Sequence, residues 1–326
     1  MAGRLAPIDP AAARRWKPFV RGPREQWLSC EGALPARLAS ALHYAWPFAR
    51  GQWRMGQLLG KLGWPALRAV PFRSGCGVRL VVDIASEDFR HLSGRLAPEP
   101  LEVAVMARLV KPGDVFIDVG AHDGLYILHV LGRLGEAGLY FAFEPSPTRF
   151  AFLQRAFAGA GERLRLFNAA LADEAGEASL VDEGSSTAYL GEGGAGAPVR
   201  VARLDEMLDG VPLEGRAIVM KIDTEGHEAR VIRGCAGLAS RGVRPVFLVE
   251  FLPAIHGQTR VDVIGAIEAV FSGGYRYFGI DEATGTLAEF FASQAVAGHV
   301  RNALAVPLAE AGRLGVVYGE EPGSAP

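Results

Sequence analysis

Three things are scarce in this chain, and each narrows what it can be. Its 326 residues include three cysteines, Cys30, Cys76 and Cys235. An odd number of widely spaced cysteines, with no CxxC pair, supplies neither a disulfide framework nor a cysteine-rich metal cluster. A reducing cytoplasm is the compartment this predicts. Long apolar runs are also missing: none approaches the roughly 20 residues of a membrane span, and the opening MAGRLAPIDPAAARRW lacks the unbroken apolar stretch of a secretion signal. Spanning and secretion are therefore not expected. The third shortage is local. The first 75 residues hold 3 Asp or Glu against 12 Lys or Arg, whereas the rest holds 33 against 22, a division that the net charge of -2 conceals. No internal repeat or heptad run is evident.

What is present suits a folded protein with one sizeable core and a small extra module, since 49% of the residues are apolar. The basic first segment contains all five tryptophans. Between Leu34 and Trp64, Pro47 and Gly51 separate two short helical patterns, the second placing Met55, Leu59 and Leu62 on one face. The expected organisation is a basic, tryptophan-rich helical module over residues 1–75, a main domain over 76–310 and a tail over 311–326.

In the main domain, a strand at Val78 to Ile84 precedes a helical stretch from Leu101 to Val110 that Pro112-Gly113 stops. Short apolar runs then recur at Val115 to Val119, Leu139 to Phe143, Leu164 to Phe167, Ala217 to Ile222 and Val246 to Val249, as strands buried on both faces require. Segments long enough for crossovers separate most of them, which predicts an α/β fold with a doubly wound, mostly parallel sheet. Ala172 to Gly196 is rich in Gly and Ser and reads as a loop or hairpin excursion. A helix near Val261 to Phe271 and strands near Tyr275 to Ile280 and Ala303 to Pro307 complete the sheet.

The segment Asp118-Val119-Gly120-Ala121-His122-Asp123-Gly124 follows one of these strands and opens a helical run, the setting of a nucleotide-type loop. Gly120 would let the backbone turn beneath a ligand, and Gly124 would let the helix start pack close to the strand. Glu144 ends the next strand, 24 residues after Gly120, near the roughly 20-residue spacing of a carboxylate that accepts from ribose hydroxyls. These features point to an adenosine-containing cofactor. A pyrophosphate favours a free helix N-terminus, which Asp123 would oppose, whereas a sulfonium cofactor with an amino-acid tail tolerates that acid. Asn168 and Asp173, at the third strand, are candidates for the adenine edge, and Asp173 reads equally as a surface-turn carboxylate.

Lys221-Ile222-Asp223-Thr224-Glu225-Gly226-His227-Glu228 places ionisable groups directly after a buried strand, at the edge where open α/β sheets bind ligands, and Glu250 ends the neighbouring strand. Asp223, His227 and Glu250 thus form a candidate acid-base cluster. A hydroxyl acceptor needs a base: His227 has the better ordinary pKa, Asp223 the better position. The alternative is a helix-start network, with Asp223 or Thr224 capping and Glu225 and Glu228 favouring the helix dipole. The same oxygen ligands could hold magnesium or manganese, but no spacing demands it, and no metal is expected. The remaining histidines, His129 and His256 among them, read as packing or surface residues.

Taken together these residues resemble the FkbM methyltransferase family. The matching elements are Glu99-Pro100, Pro112-Gly113-Asp114, the loop Asp118 to Gly124, Phe143-Glu144-Pro145, Leu204-Asp205 and Lys221 to Glu228, within about Val78 to Pro307. The resemblance implies a class I methyltransferase sheet with an antiparallel final strand, S-adenosyl-L-methionine as donor, and O-methylation of a natural product, sugar or glycan. It also implies that Glu99, Asp118, Gly120, Glu144 and Asp173 line the donor pocket, with Ala121 and Gly124 in the loop. The loop departs from the family's frequent GANxG form at His122 and Asp123.

Two other readings compete: an NAD-dependent oxidoreductase, and a non-catalytic binding protein on the same fold. No nucleic-acid partner is expected. The first 75 residues read either as a cap whose tryptophans pack on the core, or as a surface that docks an anionic membrane or carrier.

Overall fold

The structure is a computed structural model describing residues 27–45, 58, 61, 63–93, 100–182, 188–191, 196–250, 260–281, 286–290 and 302–314. Its N-terminal layer comprises β1 (Ser29–Cys30), α1 (Leu34–Ala45), β2 (Val70–Arg73), β3 (Arg79–Val82) and α2 (Glu87–Leu92). The three strands form an antiparallel sheet. Val70 and Phe72 of β2, with Leu80 and Val82 of β3, turn inward at the strand period of two. The layer is therefore mixed, not purely helical as the sequence pattern suggested. The expected boundary after residue 75 falls in the turn of a hairpin, because β2 and β3 pair from Val70–Val82 to Arg73–Arg79.

This layer caps one face of the main sheet. Leu28, Leu67, Phe72 and Phe89 share a continuous core with Met106, Tyr126 and Leu128. Among the described residues of this layer phenylalanine and leucine supply that packing, while Trp27 stacks on Tyr44 with 4.8 Å between ring centroids and Trp64 is exposed. Trp16, Trp46 and Trp53, with Met55, Leu59 and Leu62, lie outside the described residues.

After α3 (Pro100–Leu109), strand and helix alternate through β4 (Val115–Val119), α4 (Leu125–Val130), β5 (Leu139–Phe143), α5 (Pro147–Ala156) and β6 (Leu164–Phe167). The excursion that follows contains β7 (Ala170–Leu171), β8 (Gly176–Asp182), β9 (Ala188–Gly191) and β10 (Ala197–Ala202). β8 and β9 form a hairpin, as expected, but β10 and β7 extend it to a four-stranded sheet of order β7-β10-β8-β9. The alternation resumes with α6 (Leu204–Met207), β11 (Ile218–Ile222), α7 (Glu228–Arg233), α8 (Ala236–Ser240), β12 (Val246–Glu250) and α9 (Arg260–Phe271). It ends with β13 (Tyr275–Asp281), β14 (Thr286–Phe290) and β15 (Asn302–Pro307).

The eight-stranded sheet has the order β14-β13-β15-β12-β11-β4-β5-β6. β12, β11, β4, β5 and β6 pair in parallel, while β15 runs antiparallel between β12 and β13. β14, which no sequence pattern announced, adds an antiparallel edge. Every residue of β4 and β11 is buried. Phe116, Tyr140 and Val219 pack in the core on one face of the sheet, and Ile117, Phe141 and Met220 in the core on the other. The chain leaves β4 toward β5 on one side and returns to β11 on the other, so the switch point and its ligand crevice fall at the carboxyl ends of these strands.

Part of the expected tail is anchored. Arg313 donates through Nη1 and Nη2 to the two oxygens of Asp114 at 2.5 and 3.1 Å, and through Nη1 to the Leu109 carbonyl at 2.9 Å. Among the described residues no helix is long and apolar enough to cross a membrane.

Candidate active site

Asp118 lies in β4 beside Lys221 of β11, its partner in register. The side chain is fully buried. Tyr140 Oη donates to Asp118 Oδ2 at 2.7 Å, Lys221 Nζ lies 3.9 Å from Oδ1, and Oδ1 has no hydrogen-bond partner among the described residues. Burial pushes this carboxyl above its ordinary range, opposed by Lys221 and by the Tyr140 hydrogen bond.

Beyond Asp118 the loop turns through Gly120 and His122, at φ 81° and 49°. A Cβ on Gly120 would stand 2.0 Å from the Asp223 carbonyl oxygen. Glycine is required there because the β4 and β11 loops touch. Gly124 has φ 84°, and a Cβ on it would meet the Phe157 ring at 2.4 Å, so this glycine admits the segment after α5, where a strand contact was expected.

Glu144, at the end of β5, is buried and faces this loop. Its Oε2 accepts from the His122 backbone N–H and its Oε1 from that of Ser146, both at 2.8 Å. Burial raises its pKa against these two hydrogen bonds and the nearby His122. Asn168 Nδ2 donates to the carbonyls of Glu144 and Pro145 at 2.8 and 2.9 Å, which sets Asn168 beside the same strand end. Asp173 sits differently. Its oxygens pair with Arg230 Nε at 2.7 Å and Arg233 Nε at 2.9 Å, facing α7. Burial pushes its carboxyl up, but Arg233 and Arg230 outweigh that and hold it below the usual range. Glu99 lies outside the described residues.

Asp123 is enclosed between two imidazoles, with His91 Nδ1 at 3.5 Å from Oδ2 and His122 Nδ1 at 3.8 Å from Oδ1. Its Oδ1 also accepts from the Leu125 N–H at 3.3 Å, at the start of α4. Burial opposes its ionisation, but the two histidines hold its pKa well below the usual carboxylate range. The helix start is thus occupied by the chain's own carboxylate.

On the acceptor side, Lys221 Nζ donates to the Gly120 carbonyl at 2.9 Å, lies 3.1 Å from Asp223 Oδ2 and rests 5.2 Å from the Tyr126 ring centroid. It ties the two loops together. Burial would raise the pKa of Asp223, but Lys221 and a hydrogen bond with the Glu250 side chain lower it. Asp223, Glu225 and Glu250 bring carboxylate oxygens within 4.8 Å of one another. Two of the three predicted catalytic residues, Asp223 and Glu250, therefore meet. The third, His227, is half-buried immediately before α7.

The helix start differs from the alternative reading: neither Asp223 nor Thr224 caps α7, whose N-cap position is His227, and only Glu228 stands in its first turn. Glu228 Oε1 accepts from the Thr224 and Gly226 N–H groups at 3.0 Å and from the Thr224 hydroxyl at 3.1 Å, bracing a loop in which Glu225 has φ 53°. Glu228 is thereby structural, which leaves Asp223 to the crevice. Sequence reading passed over Lys221, although a lysine inside a buried strand signals a paired charge. Nothing local announced Tyr140 or His91.

A doubly wound sheet with an antiparallel strand, carboxylates at the ends of β4 and β5 and an ionisable cluster after β11 define a class I methyltransferase fold. Residues 118–277 match the model of the Methyltransferase FkbM domain. No curated protein matches the chain. Among solved structures, a methyltransferase FkbM from Methylobacillus flagellatus KT is 14% identical with a TM-score of 0.40, over 60% of this chain and 44% of that one. This chain thus matches less than half the length of that protein. A SAM-dependent O-methyltransferase from Thermotoga maritima is 14% identical with a TM-score of 0.34, over 74% and 78%. Fibrillarin from Aeropyrum pernix, in complex with natively bound S-adenosyl-L-methionine, is 13% identical with a TM-score of 0.35, over 63% and 73%. Likenesses this distant carry no argument about chemistry.

Proposed function

We propose that the chain is an S-adenosylmethionine-dependent O-methyltransferase acting on a hydroxyl of a natural product, sugar or glycan. The observation that carries this reading is an ionised carboxylate, Asp223, held by Lys221 at the strand edge against the Asp118–Gly124 loop. The donor set suits the cofactor. Asp118 keeps a buried oxygen without a hydrogen bond among the described residues, and each Glu144 oxygen accepts one backbone N–H, leaving acceptor capacity for a diol. Asp118, Gly120, Ala121, Glu144 and Asn168 would hold it, with Asp173 turned toward α7. The cofactor supplies an electrophilic methyl group. The chain's own residues align the acceptor: Asp223, ionised at neutral pH, accepts a hydrogen bond from the hydroxyl, orients its oxygen and takes up its proton as the oxygen is methylated, with Glu250 beside it.

Asp123 favours this reading over an NAD-dependent oxidoreductase, because it occupies the helix start that a pyrophosphate would need. Lys221 favours a reaction without a required metal, since its ammonium group already neutralises Asp223. Activity is expected to survive exhaustive chelation. The test is a methyl-transfer assay against a panel of hydroxylated acceptors. Asp223→Asn should bind S-adenosylhomocysteine as the wild type does and lose turnover by roughly a hundredfold; full turnover in the variant would reject the role.

A further inference from the structure

α1 is built the wrong way round for a helix on a water-soluble surface. Its inward face carries Ala36, Ala39, Ser40 and His43, while Leu34, Leu38 and Leu42 are 68%, 62% and 47% exposed. Spacing of four places these leucines in one stripe about 12 Å long. α1 packs against the turn Pro65–Leu67, next to Trp64, which is 52% exposed. Arg37 of α1 and Arg68, which follows the turn, are exposed as well. The surrounding sequence is predominantly basic: between Glu31 and Asp83 it has no Asp or Glu and carries Arg37, Arg50, Arg54, Lys61 and Arg68, besides Arg73 and Arg79, which pair with Glu31.

We infer that this face is a docking surface for an anionic lipid bilayer, into whose headgroup region Leu34, Leu38, Leu42 and Trp64 insert. Charge decides among occupants. A second copy meeting this one about a two-fold axis would set each cationic face against its own image. Residues 1–26 offer Arg4, Arg14, Arg15, Lys17, Arg21 and Arg24 against Asp9 and Glu25, again like charge. A nucleic acid would satisfy the arginines but leave the leucines in water. A bilayer with acidic headgroups takes both: aliphatic side chains and tryptophan at the acyl boundary, arginine at the phosphate level. No spanning helix is needed for such binding.

The experiment is flotation of the full chain with phosphatidylcholine vesicles, alone or containing phosphatidylserine. Two variants are compared: Leu34→Ser/Leu38→Ser/Leu42→Ser and Arg37→Glu/Arg68→Glu. Both alter exposed side chains, and retention of the wild-type melting temperature verifies the fold. The wild type should float with the phosphatidylserine vesicles, bind the neutral ones at least about tenfold more weakly and release with salt. Each variant should lose about tenfold or more in partitioning. If the leucine variant fails to fold, the charge variant decides alone. Failure of the wild type to float, or equal flotation of a folded variant, would overturn the inference. So would a wild-type dimer that the serine substitutions dissociate, since the leucines would then be a self-association surface.

Discussion

Lys221 is the side chain on which the two halves of the crevice depend. It counters Asp118 and Asp223 and reaches the Gly120 carbonyl, all at the junction of β4 and β11. Lys221→Met removes the charge that keeps Asp223 low. The acid limb of the turnover profile should move to higher pH, and a limb that stays in place would show that Asp223 titrates independently of Lys221. His129 allows a separate pH prediction. Burial, with some help from Arg133, lowers its pKa to about 4, and its Nε2 has no hydrogen-bond partner among the described residues. The folded state therefore binds this proton less readily than the unfolded chain, whose histidine titrates near 6.5. The stability associated with it is intact above about pH 6.5 and is lost as pH falls toward 4. His129→Leu should flatten that part of the stability curve in urea titrations. Of these residues, Asp118, Glu144 and Asp223 were legible because each ends or follows an apolar run. Tyr140 and His91 were not, because their contacts join positions 22 and 32 residues apart that no periodicity links.

The loops between elements show what local pattern can and cannot reveal. The glycines of the Asp118–Gly124 loop were visible, but their reasons differ from those expected: Gly120 makes room for the β11 loop and Gly124 for Phe157. Gly120→Ala should cost roughly 2–4 kcal/mol in denaturant unfolding, combining a left-handed backbone with a backbone clash. At the far end, Arg313 and Asp114 pin Leu308–Leu314 to the start of β4 from 199 residues away. Removing one partner leaves the other buried, so Arg313→Ala should lower stability by about 3–5 kcal/mol. Neither β14 nor this anchor was legible. β14 is short and at an edge, and the pair joins two polar residues in segments that read as turn and tail.

For the molecule as a whole, the parallel strands and the antiparallel β15 were readable as short apolar runs, since burial on both faces leaves little room for polar residues. The N-terminal layer was read less well. Its composition stood out and β3 was legible as the strand at Val78 to Ile84, but β2 is stabilised by pairing with β3 and by packing on the main sheet, so a helical reading of the basic segment missed it. The switch point between β4 and β11 concentrates Asp118, Glu144 and the Asp223 cluster at one edge of the sheet.

The central claim, that this edge holds an adenosine-containing methyl donor, is tested most directly by titration calorimetry of the full chain with S-adenosylhomocysteine, with NAD in parallel and Glu144→Ala as control. The account predicts binding of S-adenosylhomocysteine but not NAD, weakened about tenfold or more by the substitution. Binding of NAD instead, or of neither ligand, would contradict it.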